Sequence, residues 1–401
     1  TGGTLQGDLV LESKAGGTNT VTLNSVDVSV VKTNETNNVG NNKIDINGGN
    51  IGTVTLNGQS KDTVEISNAE VGEIKSTNSN ADTPNISLSN SKIGTVPESG
   101  VDMVIGSGVT IDGEPVDTKA EAEIAGQPYA TLAEALAKAQ NGQTVKLLKD
   151  VVLNTELSIT KNIMIDGNGK KLTLAAAADK QGLSIGAEGT ASTVTLDDVK
   201  LTITGTQNTN ADGIDVWGTL NLKNSTVSMS DLRSAFVMQG GASAKLNINN
   251  STVNVKDITG NGTNGGYVVI DDSTVTFDSV GSHGLSVEEI TVTDSSLSFT
   301  DVAYCALYGQ EIVLRSGADV EIEGCGTGLP RDGWGGVKYQ APVQVKVVAG
   351  DTDNGITVKS GASLTVTGTN DAIYIPEGTG FVSNGYVSAD IDLGDDDMNV
   401  V

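Results

Sequence analysis

Apolar residues recur along this chain in short alternating runs, in units that repeat about every 22 residues, a period typical of stacked repeat architectures. With the first apolar residue of each unit as origin, Val194, Leu220, Leu246, Val268, Ile290, Ile312 and Ile356 align. Two residues on stand Leu196, Leu222, Ile248, Ile270, Val292, Leu314 and Val358. Four residues on, the chain turns polar at Asp198, Asn224, Asn250, Asp272, Asp294, Ser316 and Ser360. A second apolar pair follows, as in Val227 with Met229 and Leu297 with Phe299. After the turns Ser316-Gly317-Ala318 and Ser360-Gly361-Ala362 it arrives one residue late, at Val320 and Leu364. Most units add a third piece, such as Gly213-Ile214-Asp215-Val216 or Gly284-Leu285-Ser286-Val287. The N-terminal part of the chain carries the same pattern at Val21, Ile44, Val64 and Ile86, echoed at Val28, Ile51, Val71 and Ile93.

Alternation of period two means strands with one face buried. Two or three short strands joined by Asn, Asp, Ser and Gly turns cannot bury that face alone. Stacked at about 4.8 Å per coil, they enclose a shared apolar column, and each backbone pairs with the coils above and below. The pattern therefore predicts an all-β solenoid. Its polar corner row is expected to form a ladder of side-chain hydrogen bonds, with Asn224 and Asn250 buried in it.

One segment departs from this period. Leu132, Ala135, Leu136 and Ala139 follow helical spacing, Thr131 and Glu134 form a capping box, and Asn141-Gly142 closes the element. A short helix near 129–140 is expected, lying as a lid over an open end of coils. The organisation this implies is an array over 1–116, a linker over 117–127, and a second array over 128–401 that begins with the helix.

The 401 residues include 50 acidic and 24 basic side chains, for a net charge of −26. Leu, Ile, Val and Phe make up about a quarter of the chain, enough to fold it. Aromatics are only 3 %, which suits a narrow coil of Val, Ile and Leu. The acidic balance argues against nucleic acid or an anionic membrane as partner, and no apolar stretch is long enough to span a bilayer. Cys305 and Cys325 give neither a disulfide framework nor a metal set, and their register favours two buried thiols. The Thr-, Asn-, Gly- and Ser-rich, Lys-poor composition points to the extracellular surface of a bacterium. No sorting motif or hydrophobic tail is present, so an anchor is expected outside this segment, in a longer chain.

The repeats resemble the right-handed parallel β-helix, or pectin-lyase-like, proteins. The passage from the helix through Asn141-Gly142 to Val145 and Leu147 resembles the N-terminal cap of surface proteins from Gram-positive gut bacteria. That resemblance implies coils of about 22 residues, on a fold that hosts lyases, hydrolases, adhesins and inert stalks. Asn210-Ala211-Asp212-Gly213 resembles the N-T-D-G motif of polygalacturonases. This implies that Asp212 belongs to a carboxylate set that protonates a leaving oxygen and activates water. Ser282-His283-Gly284 resembles the same family's G-H-G. The pattern departs where that family has its Asp pair, one coil after Asp212: here the chain reads Arg233-Ser234-Ala235-Phe236. His283 also follows Asp212 by about three coils, where the family has about two. The competing reading is that Gly-apolar-x-apolar is merely the third strand of each coil. Lyases of this fold use Arg or Lys as base, with Ca²⁺ on the uronate. The three arginines, Arg233, Arg315 and Arg331, are spread over five coils.

The segment from Gly326 to Gln340 breaks the economy of the second array. It gathers Arg331, Asp332, Trp334, Lys338 and Tyr339, side chains that stack on sugars or anchor partner surfaces, against the alternative of a surface loop whose Trp334 packs down on the coil. Trp217 and Tyr374 are expected to face outward on the third strand, Trp217 as a further candidate binding residue, while the register of Tyr308 stays open. The tail from Asp390 to Asp397 offers carboxylates of the kind Ca²⁺ takes, against the alternative of a solvated end; no other cofactor is implied. The sequence thus leads to a non-enzymatic extracellular β-helix, a stalk or adhesin segment that binds a polysaccharide or a surface protein. The alternative is a carbohydrate-active enzyme working on the third-strand face.

Overall fold

A computed structural model shows an all-β chain of parallel β-helical coils, about 14 turns of about 23 residues, with a single short α-helix among the described residues. It describes residues 2–12, 18–34, 41–56, 62–77, 83–97, 101–116, 120–206, 210–328, 341–347, 354–368, 372–389 and 391–392. The chain divides into two compact units, one of residues 1–139 with 145–149, the other of 140–144 with 150–401.

In the second unit a coil carries three strands, for example Thr219–Lys223, Thr226–Leu232 and Ser234–Val237. Each pairs in parallel with its counterpart one coil on. The register follows the apolar alignment without a slip: Val194 faces Leu220, then Leu246, Val268, Ile290, Ile312 and Ile356. The second strands align Ile203 with Met229, Val255, Phe277, Phe299, Ile322 and Val366. These side chains are buried and form the column. Phe277 and Phe299 stack inside it, ring centroids 5.2 Å apart and planes 8° from parallel.

The first unit repeats the scheme. Val21 aligns with Ile44, Val64, Ile86 and Met103. Val28 aligns with Ile51, Val71, Ile93 and Ile111. The strand Gly3–Glu12 adds a rung to Val26–Asn34 that the sequence pattern did not include. The helix Leu132–Lys138 starts where the capping box places it: the Thr131 hydroxyl accepts the Glu134 N–H at 3.1 Å. Leu132, Ala135 and Leu136 are buried, as the spacing requires. The helix sits beside a hairpin of Ala122–Ile124 and Gln127–Tyr129 in this same unit.

The corner row differs from expectation in one respect. Asn224 and Asn250 are exposed, not buried. They do form a ladder: the Asn250 amide donates to Asn224 Oδ1, and that of Asn224 to Asp197 Oδ1. The row is set by backbone conformation. Asn168, Asp198, Asn224, Asn250, Asp272 and Asp294 all hold φ between 45° and 52°. Asn and Asp tolerate this left-handed region best among side-chain-bearing residues, and Gly317 and Gly361 take it over in the two late turns.

The buried ladder lies one residue further on. Ser225, Ser251, Ser273 and Ser295 are buried. Each Oγ accepts a backbone N–H from the preceding coil at 3.0–3.1 Å, from Val199, Ser225, Ser251 and Ser273 in turn. Each hydroxyl also donates to the carbonyl two residues earlier. A corner cannot continue the strand ladder, so serine supplies the missing acceptor. Without it each N–H would be buried unpaired, at a cost of about 1–3 kcal/mol.

Candidate functional site

The third strands bring the motif residues to one face. Asp212 opens the strand Asp212–Val216 and is buried. On the next coil, the Arg233 guanidinium grips both its oxygens, Nε to Oδ1 at 3.0 Å and Nη2 to Oδ2. Asp215, three residues on, is also buried, between the column residues Ile214 and Val216 in sequence. Its Oδ2 accepts the Gln239 amide at 3.2 Å, while its Oδ1 has no partner among the described residues. Burial raises its pKa to about 6, against the pull of Gln239 and with a push from Asp212. Around the pair, Gln181 donates to Glu156, and Asn210 to Asp179. This face therefore holds one carboxylate clamped by arginine, beside one that keeps its proton in mild acid.

His283 lies three coils from Asp212, roughly 14 Å along the axis at the usual strand spacing. It is buried between Tyr304 and Tyr308, with ring centroids 5.7 and 5.6 Å away. Its Nδ1 lies 3.1 Å from Ser282 Oγ and 3.3 Å from Asn261 Oδ1. Burial lowers its pKa to about 4, so the ring is neutral at physiological pH. Asp212 and His283 are therefore not brought to one site.

Both motifs owe their glycine to core packing. A Cβ at Gly213 would lie 2.4 Å from the Ala235 carbonyl oxygen and 2.9 Å from Met229 Sδ, and one at Gly284 would lie 2.5 Å from Phe299 Cε1 and 2.6 Å from the Ala306 carbonyl oxygen. Gly182 and Gly262 are tight in the same way against Ile203 and Phe277. Ala235 and Ala306 occupy the equivalent third-strand position, and there the residue one coil on is Val255 or Ile322. The third-strand residue facing the next coil's second strand is thus small at each of these positions, glycine beside Ile203, Met229, Phe277 and Phe299 and alanine beside Val255 and Ile322. This pairing lies in the sequence, in two rows offset by most of a coil, and an alignment of strand patterns alone does not expose it.

Trp217 and Tyr374 are half-buried on this face. The register places Leu307 with Leu285 and Val343, and Tyr308 with Ser286 and Gln344, which resolves the ambiguity at Tyr308. Cys305 and Cys325 are buried free thiols, both with pKa raised by burial. Arg315 is exposed, just past the strand Leu307–Leu314 and away from Arg233. Arg331, Asp332, Trp334, Lys338 and Tyr339 lie outside the described residues, as does most of the acidic tail. Among the described residues no group of three His, Cys, Asp or Glu is placed to hold a metal ion. Among them, too, no helix is long and apolar enough to cross a membrane.

No family model matches this chain, and neither a curated protein nor a solved structure is significantly similar to it.

Proposed function

We propose that the chain is a non-catalytic, extracellular β-helical segment of a bacterial surface protein, a stalk or adhesin of the pectin-lyase-like kind. The observation that carries this reading is the packing role of the motif glycines. Gly213 and Gly284 belong to the row that accommodates Met229 and Phe299. Asp212 is clamped by Arg233, and His283 is enclosed by two tyrosines. Each feature that resembles a hydrolase motif thus has a structural occupation. A partner for such a segment is a polysaccharide or a surface protein; nucleic acid is disfavoured by the net charge of −26.

The second reading, a carbohydrate-active enzyme on the third-strand face, draws on Asp215. A carboxyl that keeps its proton, three residues from one paired with arginine, supplies the asymmetry that glycoside hydrolysis uses.

The contact assigned to the first reading is the loop of residues 326–340. Its test compares the chain with an Arg331→Ala/Trp334→Ala variant on immobilised polysaccharides and extracellular-matrix proteins. The wild type is expected to bind at least one of them, and the double variant to bind it at least tenfold more weakly. Equal retention of both would remove the loop from the function.

A further inference from the structure

A cleft of about 790 Å³ lies within the first unit, between the outer face of its coils and the hairpin with its helix. The size falls within the range of small-molecule sites, roughly 300–1,000 Å³. From this cleft we infer a binding site for a short oligosaccharide of neutral or amino sugars. The inference is independent of the surface-protein reading, since it involves neither the 326–340 loop nor the third-strand face.

The floor is rigid. It is the outward side of consecutive parallel rungs, on which Lys43, Thr63, Asn85 and Asp102 form one row. Glu65, Ser87 and Val104 form the next. Rungs stand about 4.8 Å apart, which sets hydrogen-bonding groups at a separation comparable to hydroxyls across one pyranose ring. The groups are held in place before any ligand arrives. Lys43 Nζ lies 3.2 Å from Asp45 and 3.5 Å from Glu65, and the Thr83 hydroxyl donates to Asp102 at 2.7 Å.

The wall is equally fixed. Ala125 and Gly126, at φ 50° and 85°, make the hairpin turn. Leu132 N–H donates to the Glu121 carboxylate at 2.9 Å, tying the helix start to the hairpin. Gly106 allows the hairpin to approach the floor, since a Cβ there would sit 3.0 Å from Pro128 Cβ. This wall presents Tyr129, half-buried, with Gln127 beside it and Glu134 and Lys138 from the helix.

The chemistry selects the ligand. A tyrosine ring offers a flat apolar face to the C–H side of a sugar and a hydroxyl at its rim. Sugar hydroxyls donate and accept, and the cleft supplies both kinds of partner: carboxylates, amides, hydroxyls and ammonium groups. Its three carboxylates, Glu65, Asp102 and Glu134, outnumber its two ammonium groups, Lys43 and Lys138. Burial first, then the Glu65 and Glu134 carboxylates, raise the Tyr129 pKa, with Lys43 opposing them. Uronates are disfavoured by the excess of carboxylates, while an amino sugar is not.

The test uses the 401-residue chain on an array of neutral gluco-, galacto- and manno-oligosaccharides, free and N-acetylated amino-sugar oligomers, and uronate oligomers. The best binder is then titrated calorimetrically against variants. A neutral or amino-sugar oligomer is expected to bind. Tyr129→Ala should weaken it at least tenfold and Glu65→Gln several-fold, while Tyr129→Phe retains most of the affinity and a change at the exposed Lys256 of the second unit, Lys256→Ala, all of it. If Tyr129→Ala fails to fold, Glu65→Gln and Tyr129→Phe decide. Binding of uronates alone, binding of no oligomer, or an affinity untouched by Tyr129→Ala and Glu65→Gln would overturn the site. So would an affinity lost with Lys256→Ala.

Discussion

Phe299→Ala should destabilise the second unit by about 3–5 kcal/mol, the range for emptying a buried aromatic position. Phe299 is 1 % exposed and stacked on Phe277, so its removal leaves a cavity in a column whose rungs cannot collapse without breaking strand pairing. The reciprocal change probes the same contact from the other side. Gly284→Ala places a methyl group 2.5 Å from Phe299 Cε1 and should cost about 1–3 kcal/mol by overpacking. The two changes are not independent. Ala306 with Ile322 shows the smaller pairing at the same positions one coil on. Gly284→Ala combined with Phe299→Ile should therefore regain only the part of the loss that the Phe299 ring causes, because the Ala306 carbonyl oxygen stays 2.6 Å from the new methyl group. Chemical denaturation of wild type, Gly284→Ala, Phe299→Ile and the double variant measures this as a double-mutant cycle. Additive losses would mean that the glycine row is not coupled to the second-strand row.

The second large effect depends on pH. Asp215 has a folded pKa of about 6, against an ordinary value of 3.8, because it is buried, with the Asp212 carboxylate adding to the shift. The folded chain therefore holds a proton that the unfolded chain releases. Stability from this group is complete below about pH 4, falls as pH rises towards 6, and stays reduced above it. A shift of this size corresponds to roughly 3 kcal/mol. Asp215→Asn keeps the shape and an acceptor for Gln239 but removes the charge. The variant should match the wild type near pH 4 and exceed it by about 3 kcal/mol near pH 8. His283 works in the opposite sense: held neutral by burial, it lowers stability below pH 6.5, equally in both proteins. The quantity to follow is thus the difference between the two denaturation curves across pH 4–8. A constant difference would mean that Asp215 ionises normally in the fold.

The coil register was legible in the sequence because three constraints recur together: alternation, a left-handed corner residue, and a fixed distance between them. Val194 through Ile356 fall where the pattern puts them. So does the helix, since Thr131 and Glu134 mark its start independently of the repeat. The polar corner was legible as a turn but not as two distinct rows. Periodicity says that Asn224 and Ser225 sit at a bend, but not that the left-handed residue turns its side chain to solvent while the next faces the coil. The recurring Asn/Asp-Ser pair at 224, 250, 272 and 294 was the available signal. The pairing of Asp212 with Arg233 needed the parallel register, which turns a full coil of sequence separation into adjacency. The cleft at Tyr129 was not legible at all, because it exists only once the hairpin lies across the outer face of strands far earlier in the chain.

That the hydrolase-like motifs serve packing and not chemistry is tested most directly by an assay of the chain itself. The protein is incubated with polygalacturonate and a panel of neutral and acidic polysaccharides, with and without Ca²⁺, and new reducing ends and unsaturated uronate ends are measured. No product above a buffer control is expected, and no difference between wild type and Asp212→Asn. Product released by the wild type and abolished in a folded Asp212→Asn variant would contradict the packing role.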